Sequence, residues 1–113
     1  MLGIDVVDVR RLGSALSSSP RLSRRLFSQA ELSHSSQKSD PSQHLAGTLA
    51  AKEAVAKALR IPLPPNVRRI EILRDAAGVP TARVSGHRER FGVSIAHDGG
   101  VAVAVALPIG VDA

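Results

Sequence analysis

Apolar residues follow two different spacings along the chain, one typical of strands and one typical of a helix. Over residues 2–9 the segment LGIDVVDV places Leu2, Ile4 and Val6 on one face of an extended chain. The other face carries Asp5, although aspartate is uncommon inside strands. The segment therefore predicts a first strand with one acidic misfit.

A long alanine-rich segment has helical spacing and clear end signals. Asp40, Pro41 and Gln43 supply an N-cap, a first-turn proline and a capping-box glutamine. Ile61 precedes Pro62, and a residue before proline disfavours helical torsion angles. The pattern predicts a helix from residue 41 to about residue 60, roughly 30 Å long.

The rest of the chain divides into short elements separated by turn residues. Ser19 and Pro20 open a short helix to about Phe27, and Ser28 with Glu31 has the capping-box pattern of a second helix. The segments with weaker signals are a polar loop over 33–42, an extended linker over 62–66 and a short helix around 88–90. The predicted hairpins are 68–74 with 79–86, and two strands that flank a turn at 98–100. Together these elements predict a single α+β domain over residues 1–113, with mostly antiparallel strands packed on one long helix.

Composition narrows the possible functions. The chain has 43% hydrophobic and 2% aromatic residues, and its lack of cysteine leaves neither a disulfide framework nor a thiol nucleophile. No apolar run approaches the roughly 20 residues that cross a bilayer, and Asp5 interrupts the start of the chain where a signal peptide would be apolar. We expect a cytoplasmic protein without a membrane segment.

The net charge of +5 is concentrated near the start of the chain. Residues 9–30 contain no acidic residue and five arginines, Arg10, Arg11, Arg21, Arg24 and Arg25. Such a surface attracts an anionic partner, which can be nucleic acid, a membrane or an acidic protein. Nucleic acid lacks support, because aromatic residues for base stacking and recognisable binding motifs are missing. Docking of an acidic protein needs only charge complementarity, and simple solvation of short helices is the alternative.

Glu53 and Lys57 continue an apolar row of the predicted long helix. Residues four apart share one line on a helix, so this row begins with Leu45 and Leu49. Burying Glu53 and Asp5 as ions is costly without a compensating positive charge. One such charge is Mg²⁺, which is commonly held by one or two carboxylates with substrate phosphates. The other interpretation is a pair of salt bridges, Glu53 with Lys57 and Asp5 with an arginine.

Lys52, Lys57 and His97 are further candidates. The two lysines lie about 140° apart around the helix, so they cannot clamp one phosphate together. Lys57 shares the row of Glu53 and can serve a phosphate bound to the same metal, whereas a solvated face is the simpler interpretation of Lys52. His97 ends a strand at a glycine turn, where a proton shuttle can be presented, although a hydrogen-bonded turn histidine is the simpler interpretation.

Three separated segments fit one family together: GIDVVDV at 3–9, LAGTLAAKEAVAKAL at 45–59 and VSIAHDGGVAVAVAL at 93–107. Over nearly its whole length, the chain closely resembles the holo-acyl-carrier-protein synthases, the small class of 4′-phosphopantetheinyl transferases. The resemblance implies the 4′-phosphopantetheinyl transferase fold. It also implies transfer of the phosphopantetheine arm of coenzyme A to a serine of acyl carrier protein in fatty acid biosynthesis, with release of 3′,5′-ADP.

The resemblance also implies roles for the candidate residues. Asp5 and Glu53 match the Mg²⁺ ligands, and Lys57 matches the lysine that contacts coenzyme A phosphate. Lys52 lies in the same motif, and His97 matches a histidine beside the coenzyme A site, with an orienting or a catalytic role. The implied reaction is an in-line phosphoryl transfer in which Glu53 or a metal-bound water takes the serine proton.

Partner binding is implied in the same way. Arg11 and Arg21 match basic positions that dock the acidic second helix of the carrier protein. Similar proteins of this length form homotrimers with an active site at each subunit interface. A chain of this size benefits from association, because a small domain buries a limited share of its surface.

The chain departs from the family pattern at four places. Thr48 replaces the usual arginine, Leu49 replaces phenylalanine and Ala96 replaces a hydroxyl residue, while residues 61–66 are proline-rich where glycines are usual. These changes affect contacts to coenzyme A and leave Asp5 unaltered. The alternative function is a non-catalytic basic module that docks an acidic carrier protein, and nucleic-acid binding is a third.

Overall fold

The fold is one antiparallel sheet with a long helix across one face. The structure is a computed structural model that describes residues 1–112. The sheet has the strand order β1-β5-β4-β3-β2, with bounds β1 Gly3–Asp8, β2 Ile70–Arg74, β3 Pro80–Val84, β4 Glu89–Asp98 and β5 Val101–Val111. The helices are α1 Val9–Ser18, α2 Pro20–Leu26, α3 Gln29–Ser36, α4 Pro41–Leu59 and the single turn α5 Leu63–Asn66, followed by a 3₁₀ turn over Val67–Arg69. This architecture confirms the predicted α+β class.

Close contact between α4 and β1 fixes the position of the first strand. A side chain at Gly3 would place its Cβ only 1.7 Å from the carbonyl oxygen of Ala54, so the two backbones touch there. The alanines of α4 allow the helix to approach the sheet this closely, and they pack in a core that includes Val55, Ile70 and Phe91. One consequence is that β1 runs directly beside the central turns of α4.

The other face of the sheet is apolar and open. Six large residues near its β1–β5 edge are each between 48% and 68% exposed: Leu2, Ile4, Val6, Leu107, Ile109 and Val111. In β1 the alternate residues Asp5 and Val7 are partly buried on the opposite face. The predicted alternation of the first strand is therefore confirmed.

The predicted helix starts agree with the structure. The Asp40 side chain accepts a hydrogen bond from the backbone N–H of Gln43 at 3.1 Å, and α4 ends at Leu59, where Arg60 adopts a left-handed conformation (φ 57°). Ser28 and Glu31 form the predicted reciprocal capping box of α3. Local capping signals were thus reliable guides to where helices begin.

The local structure differs from the predictions in several places. No helix was predicted over residues 9–18, yet Asp8 caps α1 by accepting from the backbone N–H of Arg11 at 2.9 Å. Helix α3 extends to Ser36, into the predicted polar loop. Residues 62–66 are extended at Pro62 and Pro64, as predicted, but turn at Pro65 and Asn66. Residues 89–90 begin a strand rather than forming a helix. Across residues 1–112, no helix is both long enough and apolar enough to cross a membrane.

Candidate active site

The structure brings Asp5, Glu53 and Lys57 together where β1 crosses α4. The Lys57 Nζ lies 2.6 Å from Asp5 Oδ1 and donates a second hydrogen bond to the Ile4 carbonyl at 3.1 Å. Glu53 lies one helical turn before Lys57 on the same row. Burial is the main cause that raises the pKa of Glu53 to about 8, followed by a hydrogen bond with Asp5 and the charge of Asp5. The two predicted acids therefore meet, although they are 48 positions apart in the sequence.

One oxygen of this cluster lacks a partner. Asp5 Oδ2 is buried and accepts no hydrogen bond from any donor within the described residues, while the Asp5 side chain as a whole is only 13% exposed. A buried carboxylate oxygen without a donor is costly. A proton shared with Glu53 or a bound cation can satisfy it.

The alternative interpretation, salt bridges of Glu53 with Lys57 and of Asp5 with an arginine, named the wrong pairs. Asp5 pairs with Lys57 rather than with an arginine, and within residues 1–112 no cation forms a salt bridge with Glu53. The pKa of Lys57 is raised by its hydrogen bond to Asp5 and by the Asp5 charge. Lys57 thus pairs with Asp5 and not with Glu53. The two carboxylates retain oxygen atoms that can accept hydrogen bonds or bind a cation.

This donor set suits a hard divalent cation that a substrate also helps to bind. Groups of three or more histidine, cysteine, aspartate or glutamate side chains that could hold a metal are missing from the part of the chain that the structure describes. Two carboxylates with an unpartnered oxygen match the way Mg²⁺ binds through one or two carboxylates, water and substrate phosphates. Asp5 and Glu53 are therefore the residues that can hold such an ion.

Glu53 lies at the boundary of two cavities. One, of about 300 Å³, is lined by Asp5, Glu53 and Lys57 together with Ala56, Ile61 and Leu63. The other, of about 500 Å³, extends from Glu53 along β1 and α1 as far as Arg11. The same carboxylate can therefore contact one reactant from each side.

Lys52 does not join this site. It is completely buried, so its interpretation as part of a solvated face is wrong. Its Nζ lies 2.6 Å from Glu31 Oε1 and donates to the Leu26 carbonyl at 2.8 Å, and it lies 5.5 Å from the centre of the Phe27 ring. This placement does not support the predicted contact between Lys52 and coenzyme A.

Glu31 is the structural partner that the sequence did not reveal. The sequence showed it only as a capping residue. In the structure Oε1 also accepts from the Ser28 backbone N–H and Oε2 from that of Ile72, so both oxygens are used. Because Glu31 and Lys52 are 21 positions apart, no local pattern in the sequence identifies them as partners.

His97 lies apart from the acidic pair. Its ring packs against Gly47, where an added Cβ would lie 3.0 Å from His97 Nε2. Gly47 is six residues before Glu53, which is about 9 Å along the helix and about 120° around it. His97 is exposed and is also two strands away from Asp5 in the sheet. Within one chain, the sequence-predicted site thus divides into two parts.

The predicted docking arginines are on the surface. Arg11 and Arg21 are exposed, as are Arg10, Arg24 and Arg25. Among the described residues, none of the five forms a salt bridge with a carboxylate. Arg11 also lines the larger of the two cavities that contain Glu53. The basic surface is therefore continuous with the candidate site.

Comparisons with known sequences identify the family. The 4′-phosphopantetheinyl transferase superfamily profile matches residues 1–106. The holo-[acyl-carrier-protein] synthase of Salinispora arenicola is 40% identical, with 94% of each chain covered. That of Streptomyces griseus is 39% identical, with 96% of this chain and 97% of the relative covered.

Solved structures show the same relationship. Helicobacter pylori holo-[acyl-carrier-protein] synthase in complex with coenzyme A superposes with a TM-score of 0.83 at 27% identity, over 96% of this chain and all of that one. A Bacillus anthracis holo-(acyl-carrier-protein) synthase in complex with CoA (3′,5′-ADP) gives 0.80 at 26% identity, over 95% and 93% of the two chains. The resemblance predicted from the sequence is thus confirmed. The chain belongs to the holo-[acyl-carrier-protein] synthase family of the 4′-phosphopantetheinyl transferase superfamily.

Proposed function

We propose that the chain transfers the 4′-phosphopantetheine group of coenzyme A to a serine of apo acyl carrier protein and releases 3′,5′-ADP. The observation that carries this proposal is the convergence of Asp5 and Glu53 beside Lys57, where a buried Asp5 oxygen has no donor among residues 1–112. The names of relatives that are about 40% identical over nearly the whole chain support the same activity. Fatty acid biosynthesis as the process and the cytoplasm as the compartment follow from the carrier protein as substrate, and they belong to the proposal.

Mg²⁺ is part of the proposal as the ion held by Asp5 and Glu53. When bound, it would supply positive charge for the coenzyme A pyrophosphate and for the departing phosphate. Lys57 supplies the same kind of charge from the chain itself. Its side chain is 59% exposed, so it can turn from Asp5 toward a phosphate that enters the smaller cavity.

In the proposed reaction the serine oxygen attacks the phosphorus that bears the pantetheine arm. The new bond joins that oxygen to phosphorus, and the bond to the bridging oxygen of the pyrophosphate breaks, so 3′,5′-ADP leaves with the electron pair. Glu53 takes the serine proton. Burial first, and then Asp5, raise the pKa of Glu53 to about 8 in the chain alone, and a bound cation would lower it again and keep the carboxylate ionised, so that it can accept this proton.

The two cavities give each reactant a separate approach to Glu53. Coenzyme A phosphates would occupy the side that contains Lys57, and the carrier serine would enter along the side that reaches Arg11. Arg11 and Arg21 dock the acidic helix of the carrier protein, because exposed arginines that form no salt bridge within residues 1–112 can pair with its carboxylates.

Assembly into a homotrimer with active sites at the interfaces completes the proposal. His97 lies away from Glu53 within one chain, so it would serve as an orienting or catalytic residue for the site of a neighbouring copy. The open apolar face of β1 and β5 supports association, because monomers seldom leave so large an apolar patch in water. Residues near this second part of the site, among them Thr48, would set the contacts at the nucleotide end.

The test is the intact mass of an apo acyl carrier protein after incubation with the chain, coenzyme A and Mg²⁺. We expect a gain of one phosphopantetheine group, lost with a chelator and lost in Glu53→Gln. Glu89→Gln, an acid on β4 outside the site, is the matched control and should retain activity. A wild-type chain that binds the carrier protein without modifying it would instead establish the non-catalytic docking module.

A further inference from the structure

A polar cavity lies at the end of the sheet where β2 begins and β3 ends. It has a volume of about 360 Å³, and its lining includes Arg68, Arg69, Glu71, Arg83, His87 and Asp112. Of the residues that the structure describes, none of those lining it also lines either of the two cavities that contain Glu53. The cavity is therefore separate from the site proposed for the transfer, and three arginines meet at it.

Arg69 is held in place at this cavity by neutral acceptors. Its Nη1 donates to the side-chain oxygen of Asn66 at 2.9 Å, and its Nη2 donates to the Ser85 carbonyl at 2.7 Å. Gly86 makes room for the guanidinium, because a Cβ at that position would lie 2.9 Å from Nη2. Neither acceptor carries a charge, so the two hydrogen bonds orient the guanidinium without neutralising it.

The other two arginines of the lining also lack a carboxylate partner. Within residues 1–112, neither Arg68 nor Arg83 forms a salt bridge. Arg83 on β3 lies directly opposite Arg90 on β4, and like charges in that arrangement destabilise a sheet. An anion between the strands and the 3₁₀ turn would relieve this repulsion.

Carboxylates balance the cavity only in part. Two acids are in its lining, Glu71 on β2 and Asp112 after β5. The Asp112 Oδ1 lies 3.8 Å from Arg90 Nε, so this carboxylate faces another arginine. Glu71 is the cross-strand neighbour of Arg83. The four arginines therefore exceed the two acids, and positive charge remains for a ligand.

Neutral donors complete the lining. Ser28 and His87 are both part of it. The Ser28 oxygen accepts the capping hydrogen bond from the Glu31 backbone N–H at 3.1 Å, so its own hydroxyl hydrogen remains available to an acceptor. The cavity thus combines guanidinium groups with neutral donors and has room for an anion.

We propose that this cavity binds a phosphate group as its dianion, with Arg69 as the oriented donor and Arg68 and Arg83 as further cations. A guanidinium has five N–H donors in a fixed plane and can bind two phosphate oxygens at once, and Arg69 uses only two of its donors within the chain. A phosphate dianion has enough oxygens and charge to contact more than one arginine. Two sources share this chemistry, inorganic phosphate and the phosphate monoester of a small organic molecule.

The test is an NMR titration of the full chain at constant ionic strength, with inorganic phosphate and glycerol 3-phosphate added separately. Constant ionic strength removes the general effect of salt on exposed charges. We expect saturable shifts of the Arg69 Nε–H resonance and of the His87 ring resonances. Arg83→Gln should weaken binding roughly tenfold. Arg10→Gln, which removes the same charge from α1, should bind as wild type does.

Two glycine variants test the position of Arg69 without changing any charge. Gly86→Ala places its Cβ against the guanidinium, whereas Gly78→Ala has no atom of the described residues within 4 Å of its Cβ. The two glycines have nearly the same backbone angle, φ 83° and φ 85°, so the backbone strain is matched. Only Gly86→Ala should weaken phosphate binding. Equal affinities of the two variants would contradict the role of Arg69.

The two ligands distinguish the sources. Tighter binding of inorganic phosphate supports a site for free phosphate, and tighter binding of glycerol 3-phosphate supports a site for a monoester. Resonances of Arg69 and His87 that do not shift with either ligand would overturn the site. Equal weakening by Arg83→Gln and Arg10→Gln would also overturn it, because it would show attraction to the overall charge rather than to this cavity.

Discussion

Helix α4 carries two lysine–carboxylate pairs that have the same N–O distance but differ in their exposure to solvent. Lys52–Glu31 and Lys57–Asp5 both have N–O distances of 2.6 Å. The side chains of the first pair are 0% and 2% exposed, and those of the second are 59% and 13% exposed. The two lysines are only five residues apart, so the difference arises from the surfaces that each side of the helix faces.

The hydrogen bonds explain what the difference means. Around Lys52 the polar atoms are paired, because Lys52 also binds the Leu26 carbonyl and both Glu31 oxygens accept from backbone groups. Around Lys57 the pairing is incomplete, because Asp5 Oδ2 has no hydrogen-bond donor in the part of the chain that the structure describes. A closed network fixes α2, α3 and β2 against α4. An open one retains acceptor capacity for a ligand.

The largest effect should come from breaking the closed pair. Lys52→Met leaves the Glu31 carboxylate buried without its cation, which should lower the free energy of unfolding by about 3–5 kcal/mol. Urea denaturation measures this loss. Combining Lys52→Met with Glu31→Gln should recover part of it, since the remaining amide carries no charge. An unchanged midpoint in Lys52→Met would contradict the structural role of the pair.

Breaking the Lys57–Asp5 pair should instead reduce activity more than stability. Lys57→Met should lower the urea midpoint much less than Lys52→Met, because the Lys57 side chain is 59% exposed whereas that of Lys52 is completely buried. Its kcat/KM for carrier modification should fall about 100-fold, as expected for loss of one group that stabilises developing charge. Equal losses of stability and activity in Lys57→Met would remove the distinction between the two pairs.

A smaller effect should appear in the pH dependence of folding stability, and it should depend on Glu53. The pKa of Glu53 is about 8 in the folded chain, against an ordinary value of 4.5. Between pH 4.5 and pH 8, Glu53 is therefore protonated in the folded chain and ionised in the unfolded chain. Folding is therefore favoured below pH 4.5, and this contribution is lost as the pH rises toward 8. In a chelator, wild-type stability should fall more steeply from pH 5 to pH 8 than that of Glu53→Gln. Glu89→Gln should retain the wild-type slope, and parallel slopes for Glu53→Gln and wild type would contradict the assigned pKa.

The same contrast shows which features a sequence can predict. Asp40 with Pro41 and Gln43 specifies the start of α4 through contacts within four residues, and the alternation around Ile4 specifies β1. Such signals are local, so they can be recognised without a fold. The α4–β1 crossing that joins Asp5 to Glu53 is not local, and it was predicted through the resemblance to a family.

The features that were missed depend on distant partners or on competing local signals. Lys52 looked like a solvated residue because Glu31, its partner, is 21 positions earlier and appeared only as a capping residue. Helix α1 was missed because Val9 continues the apolar pattern of the strand, while the cap at Asp8 resembles any other acidic residue. The charged residues Glu89 and Arg90 suggested a helix, but they begin β4, where Glu89 is partly exposed and Arg90 is exposed on the opposite face.

The most direct test of the central claim is calorimetric titration of coenzyme A into the chain, with Mg²⁺ or with a chelator, for wild type and Asp5→Asn. If Asp5 and Glu53 jointly hold a cation that binds the pyrophosphate, wild type should bind coenzyme A much more tightly with Mg²⁺, and Asp5→Asn should lose that gain. Affinity that is the same with and without Mg²⁺, in both proteins, would contradict the account.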